Sequence, residues 1–60
     1  MKKGEIWRMT QNTGMAVEIL DTTATNVRVK VIASMSSVLV GNVEDYDPKV
    51  FKAHFKKVEA

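Results

Sequence analysis

The chain has no cysteine, a single proline, a single histidine and only four aromatic residues among its 60 positions. Without cysteine, a disulfide framework and the usual cysteine-based zinc sites are excluded. No apolar run approaches the length that crosses a bilayer, and Glu5 and Arg8 interrupt the apolar segment that a signal peptide would place after Lys2 and Lys3. We therefore expect one cytoplasmic domain, residues 1–60, with no membrane partner.

Residues that perform catalysis are also scarce. His54 is the only histidine, and the chain has neither a nucleophile motif nor a glycine-rich phosphate loop. Its position beside Phe51 and Phe55 at helical spacing favours a partly buried structural histidine over a general base. We expect no catalytic residue, no cofactor and no enzymatic activity.

The acidic cluster Glu-Asp-Tyr-Asp at residues 44–47 is the candidate for a metal site. Its spacing lacks the glycine and the distal glutamate of a calcium loop. A solvated turn whose last residue, Asp47, caps the following helix accounts for the same side chains. We therefore expect no bound metal.

The chain does contain apolar and polar residues that alternate with the period of a β-strand. In residues 26–32 three valines face one way, and Arg28 and Lys30 face the other. Residues 15–20 alternate in the same manner, and the short connection between the two segments predicts an antiparallel hairpin. The same patterns predict strands at residues 5–9 and 38–43, a turn at 10–14 and a loop at 33–37.

The pattern changes after residue 46. Asp47 and Pro48 predict a helix start, with Asp47 as the N-cap and Pro48 at the first helical position. Val50, Phe51, His54 and Phe55 follow at helical spacing and are expected to face the sheet, with lysines on the opposite side. Residues 55–58 fit either a continued helix or a short fifth strand.

Together these elements predict a mainly β fold with one short C-terminal helix. Its form is either a small, strongly bent antiparallel sheet or a Src-homology-3-like barrel of four to five strands. Gly41, inside the predicted fourth strand, marks a bulge or a sharp bend. The predicted core consists of Ile6, Val17, Ile19, Val27, Val29, Val31, Leu39, Phe51 and Phe55.

Three segments carry a resemblance: Gly-Glu-Ile-Trp-Arg at residues 4–8, the valine-rich hairpin, and the spacing of Phe51, Phe55 and Val58. In this order they resemble a group of short phage-encoded and prophage-encoded accessory proteins with a small Src-homology-3-like barrel. The resemblance implies a compact module that binds a host protein, a class that includes host-defence proteins, and inhibits or modulates it. It implies no catalytic motif.

Apolar residues remain after the predicted core is filled. Exposed aromatic and methionine side chains are enriched where proteins meet, so we expect a protein target. The surplus and the small size of the domain also predict a homodimer. Trp7 fits the core as well as an interface. The candidate interface residues are Trp7, Met9, Met15, Leu20 and Met35.

The alternative function is nucleic-acid binding through a lysine-rich helix face. The formal net charge of +2 permits an anionic partner, although few aromatic residues are placed to stack on bases. If the helix lies beside the third strand, its lysines join that strand in one basic surface. The residues concerned are Arg28, Lys30, Lys49, Lys52 and Lys56.

Overall fold

The computed structural model describes residues 1–11 and 14–58, in which five strands form one antiparallel sheet of order β4-β3-β2-β1-β5. A 3-10 turn, Ser37–Leu39, lies between β3 and β4, and helix α1, Pro48–His54, connects β4 to β5. The mainly β fold with a short C-terminal helix is confirmed. The sheet is not closed into a barrel, since no pairing joins β4 to β5. The strands are β1 Ile6–Met9, β2 Ala16–Thr22, β3 Val27–Ala33, β4 Val43–Tyr46 and β5 Phe55–Lys57.

One face of the sheet, the inner face, carries the hydrophobic core. Val27, Val29 and Val31 alternate along β3 and are fully buried against the matching residues of β2, as their β-branched alternation predicts. Phe51 of α1 covers this face and is fully buried, stacked on Phe55 at a ring-centroid distance of 4.5 Å. The core consists of Met15, Val17, Ile19, Val27, Val29, Val31, Phe51 and Phe55.

Two residues of the predicted core lie elsewhere. Ile6 is only half-buried, because it alternates with Trp7 and Met9, which pack against the core from the same strand. Leu39 is exposed in the 3-10 turn, so its assignment to the core is wrong. The reason is that the segment around Leu39 turns away from the sheet instead of pairing with it.

The strand predicted at residues 38–43 is the main error of the sequence analysis. Gly41 adopts a φ of +96°, which favours glycine, and forms part of a turn. The N–H of Gly41 donates to the carbonyl of Val31. The pairing of this segment with β3 therefore begins after residue 41, and its first pair is Val43 with Lys30. The true strand, β4, therefore includes Glu44 and Asp45, which the sequence analysis had assigned to a solvated turn.

Two bulges bend the long hairpin formed by β2 and β3. Between the pairs Ile19–Val29 and Asp21–Arg28, β2 has the additional residue Leu20. Between Val17–Val31 and Ala16–Ala33, β3 has the additional residue Ile32. At a bulge, two residues of one strand lie opposite a single residue of the other, and the local twist of the strand increases. The predicted turn at 10–14 includes residues 12 and 13, which lie outside the described residues.

Helix α1 starts as predicted. The Asp47 carboxylate accepts hydrogen bonds from the backbone N–H groups of Lys49 at 2.9 Å and Val50 at 3.4 Å, and Pro48 occupies the first helical position. The helix ends at His54, and the next residue, Phe55, is extended and begins β5. Of the two alternatives for residues 55–58, the short strand is therefore correct, and it spans Phe55–Lys57.

The predicted burial along α1 is only partly right. Phe51 is buried, but His54 and Val50 are exposed. A helix of two turns that docks through one central side chain buries only a narrow stripe. His54 is therefore an exposed residue rather than a partly buried one.

Replacing Asp47 tests how far this short helix depends on its cap. We expect Asp47→Ala to lower the free energy of unfolding by about 1 kcal/mol, because it leaves the first N–H groups of α1 without an acceptor. For a domain of this size the melting temperature falls by about 4–8 °C. Asp47→Asn is the matched control, because asparagine caps as well as aspartate. Urea denaturation followed by circular dichroism measures both variants, and an equal loss in both would contradict the capping role.

Candidate functional site

The acidic residues and the single histidine do not form a metal centre in the described part of the chain. No group of three or more His, Asp or Glu side chains there is placed to hold a metal ion. His54 lies exposed at the end of α1, and its backbone carbonyl accepts hydrogen bonds from the N–H and the hydroxyl of Thr10. No helix among residues 1–11 and 14–58 is long and apolar enough to cross a membrane. The candidate functional features are therefore surfaces.

The five residues predicted as a protein interface do not form one patch. Met15 belongs to the buried core at 8% exposure, and Trp7 and Met9 pack against that core from β1. Leu20 lies half-buried at the bulge of β2, and only Met35 is strongly exposed, at 89%. Trp7, Met9 and Met15 face inward because they alternate in phase with the core valines across the sheet.

Trp7 is held by contacts within the protein. Its ring centroid lies 5.1 Å from that of Phe51, and its Nε1–H donates to Glu5 Oε1 at 3.1 Å. Buried or half-buried indole N–H groups usually find such an acceptor, and this one is supplied two residues away. Trp7 therefore serves the fold, and its substitution would disturb packing before it reported on any partner.

Glu5 is the centre of a small polar network at the start of β1. Its Oε1 also accepts from the backbone N–H of Lys2 at 3.1 Å, and its Oε2 lies 3.2 Å from Nζ of Lys57. These hydrogen bonds, the backbone one first, stabilise the ionised carboxylate and lower the pKa of Glu5 to about 2. Tyr46 shows the opposite effect, since burial and a hydrogen bond to Glu44 raise its pKa to about 12.

The surface that stands out is the connection between β3 and β4, residues 34–42, which we call the apolar loop. Val38 is 82% exposed, and Met35, Leu39 and Val40 are exposed beside it. Ile32 before the loop and Val43 after it extend the exposed apolar surface. No charged residue occurs from position 31 to 43. Exposed apolar clusters are the surfaces at which proteins commonly meet a partner, so the apolar loop is the candidate functional site.

The apolar loop has a defined conformation in spite of its exposure. Backbone hydrogen bonds run from Leu39 N–H to the Ser36 carbonyl at 3.1 Å and from Asn42 N–H to the Leu39 carbonyl at 3.1 Å. The hydroxyl of Ser34 accepts from the N–H of Ser36 at 3.2 Å. The loop therefore presents its apolar side chains on an organised turn, which reduces the entropy lost when a partner binds.

Sequence reasoning missed this site, apart from Met35, because it treated residues 38–43 as a strand. A strand with apolar residues on both faces is predicted to be buried in the core. The signal that could have identified the loop is the absence of charge from 31 to 43 together with the run of serines at 34, 36 and 37. Serines in such a run favour turns over strands.

The predicted basic residues lie on different parts of the molecule. Arg28 and Lys30 point away from the core on the outer face of the sheet, whereas α1 lies on the inner side through Phe51. Arg28 is also neutralised, because its Nε lies 2.9 Å from Oδ1 of Asp45. This contact lowers the pKa of Asp45 and raises that of Arg28. The expected single basic surface of strand and helix is therefore not formed.

Comparison with known proteins supplies no relative for this chain. No protein-family model matches it, and neither a curated protein nor a solved structure does so. The chemistry of the apolar loop and of the neighbouring sheet face is therefore what carries the functional inference.

The depressed pKa of Glu5 predicts how stability depends on pH. The contribution of the ionised carboxylate is fully present above its ordinary pKa of 4.5 and is lost as the pH falls toward about 2. We expect Glu5→Gln to destabilise the protein at neutral pH, and the difference from wild type to shrink toward zero in that acidic range. Urea denaturation at several pH values measures it.

Glu18→Gln is the control for this experiment. Glu18 is half-buried on β2, and its side chain has no hydrogen bond or ion pair in the described part of the chain. We expect it to leave the pH dependence as in wild type. If Glu5→Gln showed the same deficit at every pH, the network around Glu5 would not stabilise the charged form.

Proposed function

We propose that the protein is a non-enzymatic protein-binding module that contacts its target through the apolar loop. The observation that carries the proposal is the exposure of Met35 and Val38, at 89% and 82%, on an ordered turn that has no charge. Burial of a valine or methionine side chain contributes about 1.5–3 kcal/mol, which offsets part of the entropy lost when two proteins associate. Methionine adapts its shape to a partner surface, which suits a recognition loop.

The resemblance to phage-type accessory proteins supports a particular kind of target. We propose that the module acts in the cytoplasm of a bacterial host, where it binds a host protein, such as a defence protein, and inhibits or modulates it. Occupying a surface of the target requires no catalytic group. The described residues supply a rigid sheet with a projecting loop, which suits this mode of action.

The nucleic-acid alternative has weaker support. Its lysines and Arg28 are divided between the outer face of the sheet and α1, and Arg28 is paired with Asp45. The described aromatic residues, Trp7, Tyr46, Phe51 and Phe55, contact one another over the core and are not arranged as a stacking platform for bases. The uncharged apolar loop is a poor surface for phosphates.

We also propose that the homodimer forms through the apolar loop and not through an edge strand. Antiparallel pairing of β4 with its own copy would bring Glu44 and Asp45 of the two chains together, and pairing of β5 would do the same for Lys56 and Lys57. Like charges opposite each other destabilise a sheet, and charged edges of this kind prevent edge-to-edge association. The loop carries no charge to oppose self-association.

Capture from a bacterial lysate tests the proposed function. We expect Val38→Asp to lose the protein that wild type retains, since it places a charge in the centre of the apolar contact. Val50→Asp is the matched control, because Val50 is 48% exposed on α1, away from the loop. Nuclease treatment should leave the captured protein in place. Retention of nucleic acid alone, lost with nuclease, would contradict the proposal.

Light scattering tests the homodimer with the same variants. We expect wild type and Val50→Asp to show a dimeric mass well above micromolar concentration, and Val38→Asp to show a monomeric mass. Because target and second copy use the same residues, adding the captured target should convert the dimer into a complex with one copy of this chain. A dimer that survived Val38→Asp would place self-association elsewhere.

A further inference from the structure

A pair of cations without partners lies where β1 meets β5. Arg8 and Lys56 are direct opposites in the β1–β5 pairing, and both are exposed. Neither side chain forms an ion pair or hydrogen bond with any residue that the structure describes. They border an open groove of about 410 Å³, and no carboxylate among the residues that the structure describes lines it. The groove is lined by Arg8, Met9, Thr10, Lys56, Lys57 and Val58.

This arrangement is unfavourable for the free protein. Like charges directly opposite each other in an antiparallel pair destabilise the sheet. The neighbouring Lys57 shows the usual solution, since its Nζ lies 3.2 Å from a carboxylate oxygen of Glu5. Among residues 1–11 and 14–58 no such partner is provided for Arg8 and Lys56, so a bound anionic group from a second molecule would remove the repulsion.

Arg8 and Lys56 lie on the same face of the sheet as Ala33, the last residue before the apolar loop. Arg8 is the partner of Ala16 in β2, and Ala16 is the partner of Ala33 in β3. At about 4.8 Å per strand, Arg8 and Ala33 are about 10 Å apart. The apolar loop begins at the residue after Ala33. Because Ala16 and Ala33 have short side chains, no large side chain at these two positions separates the cations from the loop.

We propose that Arg8 and Lys56 bind an acidic segment of the same target protein that covers the apolar loop. This inference rests on the proposed function and specifies the chemistry of the target: an apolar patch with two or more carboxylates about 10–15 Å from it. Arg8 offers a planar fork that fits a carboxylate, and Lys56 offers a point charge beside it.

A protein segment fits this groove better than a nucleic-acid strand. The groove combines cations with the apolar residues Met9 and Val58, and no aromatic residue lines it. Single-stranded nucleic acid gains much of its affinity by stacking bases on aromatic rings, which the groove does not offer. An acidic peptide needs only cations, apolar contact and backbone hydrogen bonds.

Titration by nuclear magnetic resonance with a synthetic peptide of six glutamates tests the proposal. We expect the peptide at low salt to shift the backbone amide signals of Arg8, Thr10 and Lys56. The double variant Arg8→Gln with Lys56→Gln should weaken this binding at least about tenfold. The double variant Lys49→Gln with Lys52→Gln removes the same charge from α1 and should bind the peptide as wild type does.

The outcomes separate this inference from the proposed function. Val38→Asp should lose the captured target and still bind the glutamate peptide. If instead the Lys49 and Lys52 variant lost the peptide as much as the Arg8 and Lys56 variant, the groove would not be the site. Tighter binding of a six-nucleotide thymidine strand than of the peptide would overturn the choice of an acidic protein segment. Unchanged target capture by the Arg8 and Lys56 variant would overturn the link to the target.

Discussion

The packing of Phe51 onto the valine face of the sheet is the contact on which the rest of the structure depends. Its ring stacks on Phe55 and lies near Trp7 and Tyr46, so α1, β1, β4 and β5 meet at one side chain. A helix of two turns has little stability of its own and persists because it docks. Removing this ring would create a cavity between the valines of the central hairpin and the elements packed around Phe51, at a cost of about 3–5 kcal/mol. For a domain this small, that is a large part of the total.

The aromatic residues are concentrated around Phe51, and this determines which types of side chain remain on the surface for binding. Trp7 and Tyr46 are turned inward, where each has a carboxylate that accepts its polar hydrogen. The surface is then left with aliphatic and sulfur-containing side chains on the loop and with lysine and arginine elsewhere. Recognition through such a surface depends on shape and apolar area at the loop and on charge at its margin. The two proposed contacts follow this division.

Local patterns in the sequence predicted most of the fold. The alternating valines of β3 and the cap at Asp47 depend on neighbouring residues alone, and both are correct. The register of residues 34–46 depends on Gly41, whose positive φ and bond to Val31 are decided by the tertiary structure. The predicted site failed for a related reason. Whether Trp7 or Met15 faces inward depends on its phase relative to strands distant in sequence, and a single strand does not reveal that.

The pairing of β1 with β5 has a consequence for how the chain folds during its synthesis. Trp7 is opposite Lys57, so the contact joins positions 57 − 7 = 50 residues apart. Contacts of such large sequence separation slow folding, because the intervening chain loses conformational entropy before the contact forms and stabilises the structure. While the ribosome still holds residues 51–57, neither Phe51 nor β5 can cover the valines of the emerged hairpin. Folding is therefore completed only after release of this segment, and chaperones that bind exposed apolar strands have access to the chain until then.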